Sequence, residues 1–279
     1  MALRELKSMS EKNRNLQITY ASLSDVGCVR TNNEDAVIVD AQRRIAVLAD
    51  GMGGYNAGEV ASDMAVRQTL EGLVQWFGDI PPEKLTAREI GRAMIECVDN
   101  TNRNIFESSY SHQEYAGMGT TIVVAVVHQT TLLLGHVGDS RAYRLREGKL
   151  EQMTCDHSLL QEQVHMGLLT AKEAEHALHK NLVTRALGVE DTVLLDLQEI
   201  EIEPGDVYMM CSDGLNDMLP DEEIAAVMSS SEDPDIIAKA LVQGAKDHGG
   251  GDNVSVIVFR VQDAGGGGAL GKLMGRIKH

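Results

Sequence analysis

Between residues 120 and 153 four runs rich in β-forming residues, 120–127, 131–137, 142–146 and 150–153, follow one another across connections of only three or four residues. A crossover that leaves neighbouring strands parallel needs about a dozen residues or more, so these runs pair as antiparallel hairpins. A simple doubly wound parallel sheet is thereby excluded.

The rest of the chain must then cover antiparallel sheet with helices. Apolar residues recur at helical spacing over 59–77, through Val60, Ala61, Met64, Ala65, Leu73 and Phe77, and over 87–106, through Ile90, Met94, Val98 and Ile105. Pro81-Pro82 separates the two windows. Strands are expected at 17–21, 36–40 and 44–49 before them, and at 193–200, 206–211 and 253–261 later on. Acidic residues after Pro220 open one late helix, and a second covers 235–247. Residues 158–177 are polar, histidine-containing and weakly helical, and read as an inserted flap. The expected organisation is a polar arm at 1–16, one α+β domain over 17–262 with its flap at about 155–190, and a glycine linker with a short basic tail at 263–279 carrying Lys272, Arg276 and Lys278.

Charge narrows the function. The net charge is −17, and no basic run offsets it, which argues against nucleic-acid binding, where affinity comes from Lys and Arg neutralising phosphates. Aromatic residues make up 4%, too few for base-stacking platforms. Cys28, Cys97, Cys155 and Cys211 lie far apart without a Cys-x-x-Cys pair, so neither a zinc ribbon nor a disulfide framework is indicated. The longest aliphatic run, 122–127, is far short of the roughly 18 residues of a transmembrane helix. The chain reads as soluble and cytoplasmic. What its carboxylates can do is hold cations.

Several of those carboxylates stand at strand ends beside glycines. Glu34-Asp35 follows a turn after Arg30, Asp50-Gly51 ends one hydrophobic strand, and Asp213-Gly214 ends another. Gly138-Asp139 lies between two strands, and Asp252-Asn253 follows Gly249-Gly250-Gly251. A strand fixes the position of the carboxylate, while the glycine permits a tight turn or a close backbone approach. Magnesium and manganese need such oxygen ligands. Any one Asp-Gly is also an ordinary β-turn; the repetition is what points to a site.

The strings Arg30-Thr31-Asn32-Asn33-Glu34-Asp35, Asp50-Gly51-Met52-Gly53-Gly54, Gly119-Thr120-Thr121, Gly138-Asp139-Ser140-Arg141, Ser212-Asp213-Gly214-Leu215 and Asp252-Asn253-Val254-Ser255 occur in this order. In that order they resemble the metal-dependent serine/threonine protein phosphatases of the 2C type, over about residues 18–261. The resemblance implies a four-layer α/β/β/α sandwich of two antiparallel sheets flanked by helices, with two divalent metals (manganese or magnesium) at one edge. It implies that Asp50 bridges the metals, that Asp213 and Asp252 complete the first site, and that Glu34 and the Gly51 carbonyl serve the second. Asp139, with Asp213, would hold a third, weaker metal, and Arg30 would bind phosphate. Asp35 and Asn253 would orient ligands from behind. The implied reaction is hydrolysis of phosphoserine and phosphothreonine in proteins, the substrates of a serine/threonine kinase, by a metal-activated water attacking phosphorus in line. A monomer without membrane insertion is expected.

Eukaryotic relatives commonly carry histidine where this chain has Met52, and that histidine is proposed to protonate the leaving group. Methionine is frequent there in bacterial members, so the resemblance is to the bacterial branch, as are Asp156-His157-Ser158-Leu159 and the string from Asn181 to Gly188. The general acid is left open. A water near Asp139 is one candidate; His157 and His179 are others, although the plainer reading makes them exposed flap residues. The usual His-Pro step is replaced by His176-Ala177-Leu178-His179. Two other functions compete: a noncatalytic phosphoprotein-binding pseudophosphatase, and a phosphatase of small phosphate esters. The Cys97 to Arg103 spacing imitates a cysteine-dependent phosphatase, but it lacks glycine and lies inside a helical pattern, so Cys97 reads as a packed small residue. Gly51-Met52-Gly53-Gly54 is no dinucleotide fingerprint, since Asn56 occupies the third glycine position.

Overall fold

A computed structural model describes residues 16–53, 57–78, 80, 84–170, 173 and 182–264. The polar arm up to residue 15, Gly54 and Asn56, Pro81-Pro82, the part of the flap holding His176, His179 and Asn181, and the linker and basic tail from 265 onward lie outside the described residues.

The chain enters through β1 (Leu16–Asp25), β2 (Asp35–Asp40) and β3 (Ile45–Met52), then forms α1 (Ala57–Phe77) and α2 (Ala87–Ser111). The hairpin region follows as β4 (Gly119–Thr120), β5 (Ile122–His128), β6 (Thr131–Val137), β7 (Arg141–Arg146) and β8 (Lys149–Gln152). After the short α3 (Leu159–His165) come β9 (Asp196–Glu201), β10 (Val207–Cys211), α4 (Asp213–Asn216), α5 (Asp221–Ser229), α6 (Pro234–Asp247) and β11 (Val254–Asp263). One sheet has the order β1-β11-β10-β7-β8; the other has β2-β3-β5-β6-β9, with β4 attached to β3. All these pairings are antiparallel.

Period-two alternation sorts each central strand between two cores. In β3, Ile45, Val47 and Ala49 pack under the helices α1 and α2, while Ala46 and Leu48 face the opposite sheet. In β11, Val254, Val256 and Val258 meet α6, and Ile257, Phe259 and Val261 fill the inter-sheet layer. Three apolar layers between four structural ones make the α/β/β/α sandwich. Its inter-sheet layer is anchored by Tyr208 and Phe259, whose rings stack with centroids 5.0 Å apart.

Local signals agree with these elements. Thr86 and Glu89 form a reciprocal capping box at the start of α2, and Asp233 caps α6 ahead of Pro234. Some elements depart from their expected bounds. β1 runs on to Asp25, because each of its residues has a partner in β11; Ser22, Ser24 and Asp25 carry no apolar alternation that would reveal this. α2 continues to Ser111, where Phe106 and Tyr110 pack one turn apart, 4.8 Å between centroids. β10 passes straight into the one-turn helix α4, which is too short to show an apolar period of its own in the sequence.

Candidate metal centre

The inter-sheet layer changes character at one end. Asp50 continues the face of Ala46 and Leu48 in β3, and Asp35 stands opposite it in β2. Ser212 follows β10 on the face of Tyr208 and Met210, and Ser255 precedes Ile257 and Phe259 in β11. The Ser212 hydroxyl donates to Asp35 Oδ2 at 2.7 Å, and the Ser255 N–H donates to Ser212 Oγ at 3.0 Å. Apolar core thus ends in a hydrogen-bonded polar plug. On its outer side lie the turns that carry Asp213 and Asp252, brought together because β10 and β11 are neighbours in the sheet.

Glycines let these turns close. A Cβ on Gly214 would stand 2.0 Å from the Asn253 carbonyl oxygen. Where β3 meets α1, one on Gly51 would stand 2.1 Å from the Gly58 carbonyl oxygen. Neither neighbour is a side chain that could swing aside.

The structure brings the sequence-expected residues together. Burial pushes Asp213 up to about 8, helped by the negative charges of Asp139, Asp217, Asp252 and Asp35. Asp50 is raised well above the usual aspartate value, first by burial and then by Asp35, Asp213, Asp139 and Asp252. Asp35 and Asp139 are each pushed up to about 6, burial again leading, and burial also raises Glu34, against the opposing pull of Arg30. Carboxylates that resist ionising together are a donor set short of positive charge. Asp35 Oδ1 is moreover buried without a hydrogen-bond partner. The set fits hard divalent cations, which bind oxygen and would reverse the local field.

Arg30 reaches this cluster from the β1–β2 connection and donates from Nη2 to Asp252 Oδ2 at 2.8 Å. About half of the Arg30 side chain is exposed (53%). Asn253 holds that connection in place. Its Oδ1 accepts the Glu34 N–H at 2.8 Å, and its Nδ2 donates to the Val26 and Asn32 carbonyls at 3.0 and 2.9 Å. A cleft of about 660 Å³ leads away from Asp139 and Asp213 past Asp156, Gln161, Val164 and Glu222.

Other residues of the site were not singled out by the sequence. Thr121 ties two ligand turns together: its Oγ1 accepts the Asp50 N–H at 2.9 Å and meets Ser140 Oγ at 2.7 Å. It belongs to the Gly119-Thr120-Thr121 string, in which nothing local marks a threonine as a partner of Asp50. Asp217, which follows α4 as its C-cap residue, adds its charge to both Asp213 and Asp139. His157 corrects an expectation, for it is buried and not an exposed flap residue. Its Nδ1 accepts the Gly138 N–H at 3.0 Å and its Nε2 faces Asp196 Oδ2 at 3.2 Å. With both nitrogens engaged, His157 is poorly placed to serve as a general acid. Cys97, a residue of α2, is partly buried against Gly72 of α1, and burial pushes its thiol up to about 11, the opposite of a nucleophile.

Residues 29–243 match the sequence profile of the family Protein phosphatase 2C. The serine/threonine phosphatase stp of Listeria monocytogenes is 35% identical over 238 residues, covering 84% of this chain and 92% of that protein. Among solved structures, the serine/threonine phosphatase PstP/Ppp of Mycobacterium tuberculosis superposes with a TM-score of 0.79 at 36% identity, covering 88% of this chain and 99% of that one. The catalytic domain of PstP in complex with two manganese ions gives a TM-score of 0.78 at 37% identity, over 89% and 100% of the two chains.

Proposed function

The chain belongs to the protein phosphatase 2C family and is a serine/threonine phosphatase, and from that footing we propose that it hydrolyses phosphoserine and phosphothreonine esters in proteins with divalent cations as cofactors. One observation carries the reading. Carboxylates from five separate chain segments, Glu34, Asp50, Asp139, Asp213 and Asp252, meet at one end of the sandwich beside Arg30.

In this reading Asp50 would be shared by two cations, with Asp213 and Asp252 available to hold the first and Glu34 with the Gly51 carbonyl to hold the second. Asp139 and Asp213 would take a third, weaker one. The cations supply Lewis acidity, lowering the pKa of water and drawing off charge from the phosphoryl group. The protein supplies position. Arg30 has more N–H donors than its bond to Asp252 uses, and a guanidinium takes two phosphate oxygens side by side, orienting phosphorus for in-line attack. Asp35 and Asn253 act from behind, one beneath Asp50 and the other holding the Glu34 and Arg30 backbone.

The cleft of about 660 Å³ beside Asp139 and Asp213 leaves room for the residues that flank a phosphoserine or phosphothreonine in a protein. Such substrates are the products of a serine/threonine kinase. Retention of every expected carboxylate favours turnover over mere phosphoprotein binding. A net charge of −17 disfavours nucleic acid as a partner. None of the described helices is long and apolar enough to cross a membrane.

The test compares manganese-dependent hydrolysis of phosphothreonine peptides with that of metabolite phosphates, in the wild type and in Asp50→Ala. We expect the peptides to be preferred and Asp50→Ala to lose more than about a hundredfold in turnover while staying folded. Undiminished hydrolysis by the folded variant would refute the metal assignment.

A further inference from the structure

His136 in β6 and His157 after β8 stack on each other, with ring centroids 4.7 Å apart and planes 18° from parallel. Asp196 in β9 is the cross-strand partner of His136. One donor atom from each of the three lies within 4.8 Å of the others, the spacing of a metal site. The ring orientation argues against one. A histidine ligand points its in-plane lone pair at the ion, so both ring planes must contain it, and near-parallel stacked planes do not converge.

The hydrogen bonds give the trio a different task. Because His157 Nδ1 accepts from a backbone N–H, the ring proton sits on Nε2 and is donated to Asp196 Oδ2. Asp196 is held in turn through Oδ1 by Arg185 Nη1 at 2.8 Å, and the Thr184 N–H donates to the His157 carbonyl at 2.8 Å. His136 fixes the stacked ring from behind, with its Nε2 2.8 Å from the Cys155 carbonyl.

The other end of this strut is Gly138. The His157 N–H donates to the Gly138 carbonyl at 3.0 Å, and the Gly138 N–H donates back to the His157 ring at 3.0 Å. Both backbone groups of the residue before Asp139 are therefore gripped by one side chain and its own backbone. Gly138 needs the grip, since it bends the chain at φ +106° with the Thr121 side chain against it. We propose that His157 is a positioning residue which, through Gly138, sets where the Asp139 carboxylate stands for the third cation. The proposal rests on the reading of Asp139 as a cation ligand.

Two substitutions in the full chain separate this role from general structural support. His157→Ala removes the acceptor for the Gly138 N–H, whereas His157→Asn can place its Oδ1 where Nδ1 stood. Hydrogen exchange of the segment 136–141 reads the grip directly. The manganese concentration for half-maximal activity, together with calorimetric manganese binding, reads its consequence. We expect His157→Ala to speed exchange and raise the manganese requirement, each by about tenfold, with little change in KM for a phosphopeptide, and His157→Asn to restore most of both. If the alanine variant does not fold, His157→Gln replaces it, keeping the Nε2 donor position and losing the acceptor.

Unchanged exchange and manganese requirement in His157→Ala would overturn the proposal. So would equal defects in the alanine and asparagine variants, which indicate packing alone, or stoichiometric zinc in the wild type that His157→Ala loses. Asp139→Ala distinguishes the two levels of the argument. If it leaves the manganese requirement untouched, the ligand reading of Asp139 fails, and the exchange result still decides whether His157 holds the turn.

Discussion

Asp35 and Asp50 stand directly opposite each other in the β2–β3 ladder, on the face where the preceding pairs are Val37 with Leu48 and Val39 with Ala46. Two carboxylates thus end an apolar column, and burial raises both. An acid whose folded pKa exceeds its unfolded value binds more protons when folded, so stability falls as pH rises between the two values. For this cluster the window opens near the usual aspartate value of 3.8 and extends to about 8, the level reached by Asp213. Metal-free protein should therefore melt at a higher temperature at about pH 5 than at about pH 8, and manganese should stabilise it more at the higher pH. Calorimetry with and without a chelator checks this; a metal-free protein that is stabilised across that window as pH rises would contradict it.

Arg30 and Asp252 make a contact whose energy is limited by solvent. With 53% and 34% of the two side chains exposed, the pair is worth about 0–1 kcal/mol, or up to about fivefold in an equilibrium. Losing Arg30 should therefore disturb cation binding little and phosphate binding much. Arg30→Ala is expected to raise KM for a phosphopeptide by about tenfold or more, with the manganese requirement shifted less than about fivefold. Arg30→Lys should recover charge without the paired donors and restore only part of KM. A manganese requirement that rises in step with KM would assign Arg30 to organising Asp252 instead.

Much of this centre was legible residue by residue, and its assembly was not. Asp-Gly steps after hydrophobic runs marked strand ends, because apolar alternation stops there. Their convergence depends on β11, the last strand, entering between β1 and β10, a non-local pairing that no spacing reports. The family resemblance supplied that convergence. The burial of His157 was illegible for a related reason: its segment is polar by composition and is covered by His136 and Asp196, which come from β6 and β9. Ser212 and Thr121 are small polar residues that local sequence reads as turn formers, and only the packing of two sheets makes them the hydrogen-bond partners of Asp35 and Asp50.

Asn253 is 6% exposed and makes three hydrogen bonds to backbone groups of the Arg30 connection. Asn253→Ala strands those groups and should cost about 2–4 kcal/mol of stability, given about 1–3 for each buried polar group left unpaired and some recovery by water. Asn253→Asp keeps the acceptor for Glu34 but loses the donor and adds a charge beside the carboxylates. Its deficit should be larger without metal than with it, whereas that of the alanine variant should depend less on metal. Thermal melts of both variants with and without manganese distinguish the two; equal metal dependence would mean that the added charge is not felt at the site.

Gly58 sits in the first turn of α1, where alanine ordinarily gains about 1 kcal/mol over glycine. Here a Cβ would stand 2.8 Å from the Gly51 carbonyl carbon and 2.9 Å from the Glu34 carboxylate. The first contact is backbone in a strand paired on both sides, and the second is a proposed ligand, so neither yields cheaply. Overlap should outweigh propensity. Gly58→Ala is expected to lose about 1–3 kcal/mol of stability and to raise the manganese requirement, because α1 must withdraw from β3 or push Glu34 outward. Denaturant melts and manganese titration of the same protein decide the matter: a stabilised variant with unaltered metal dependence would mean that α1 can shift without moving the site.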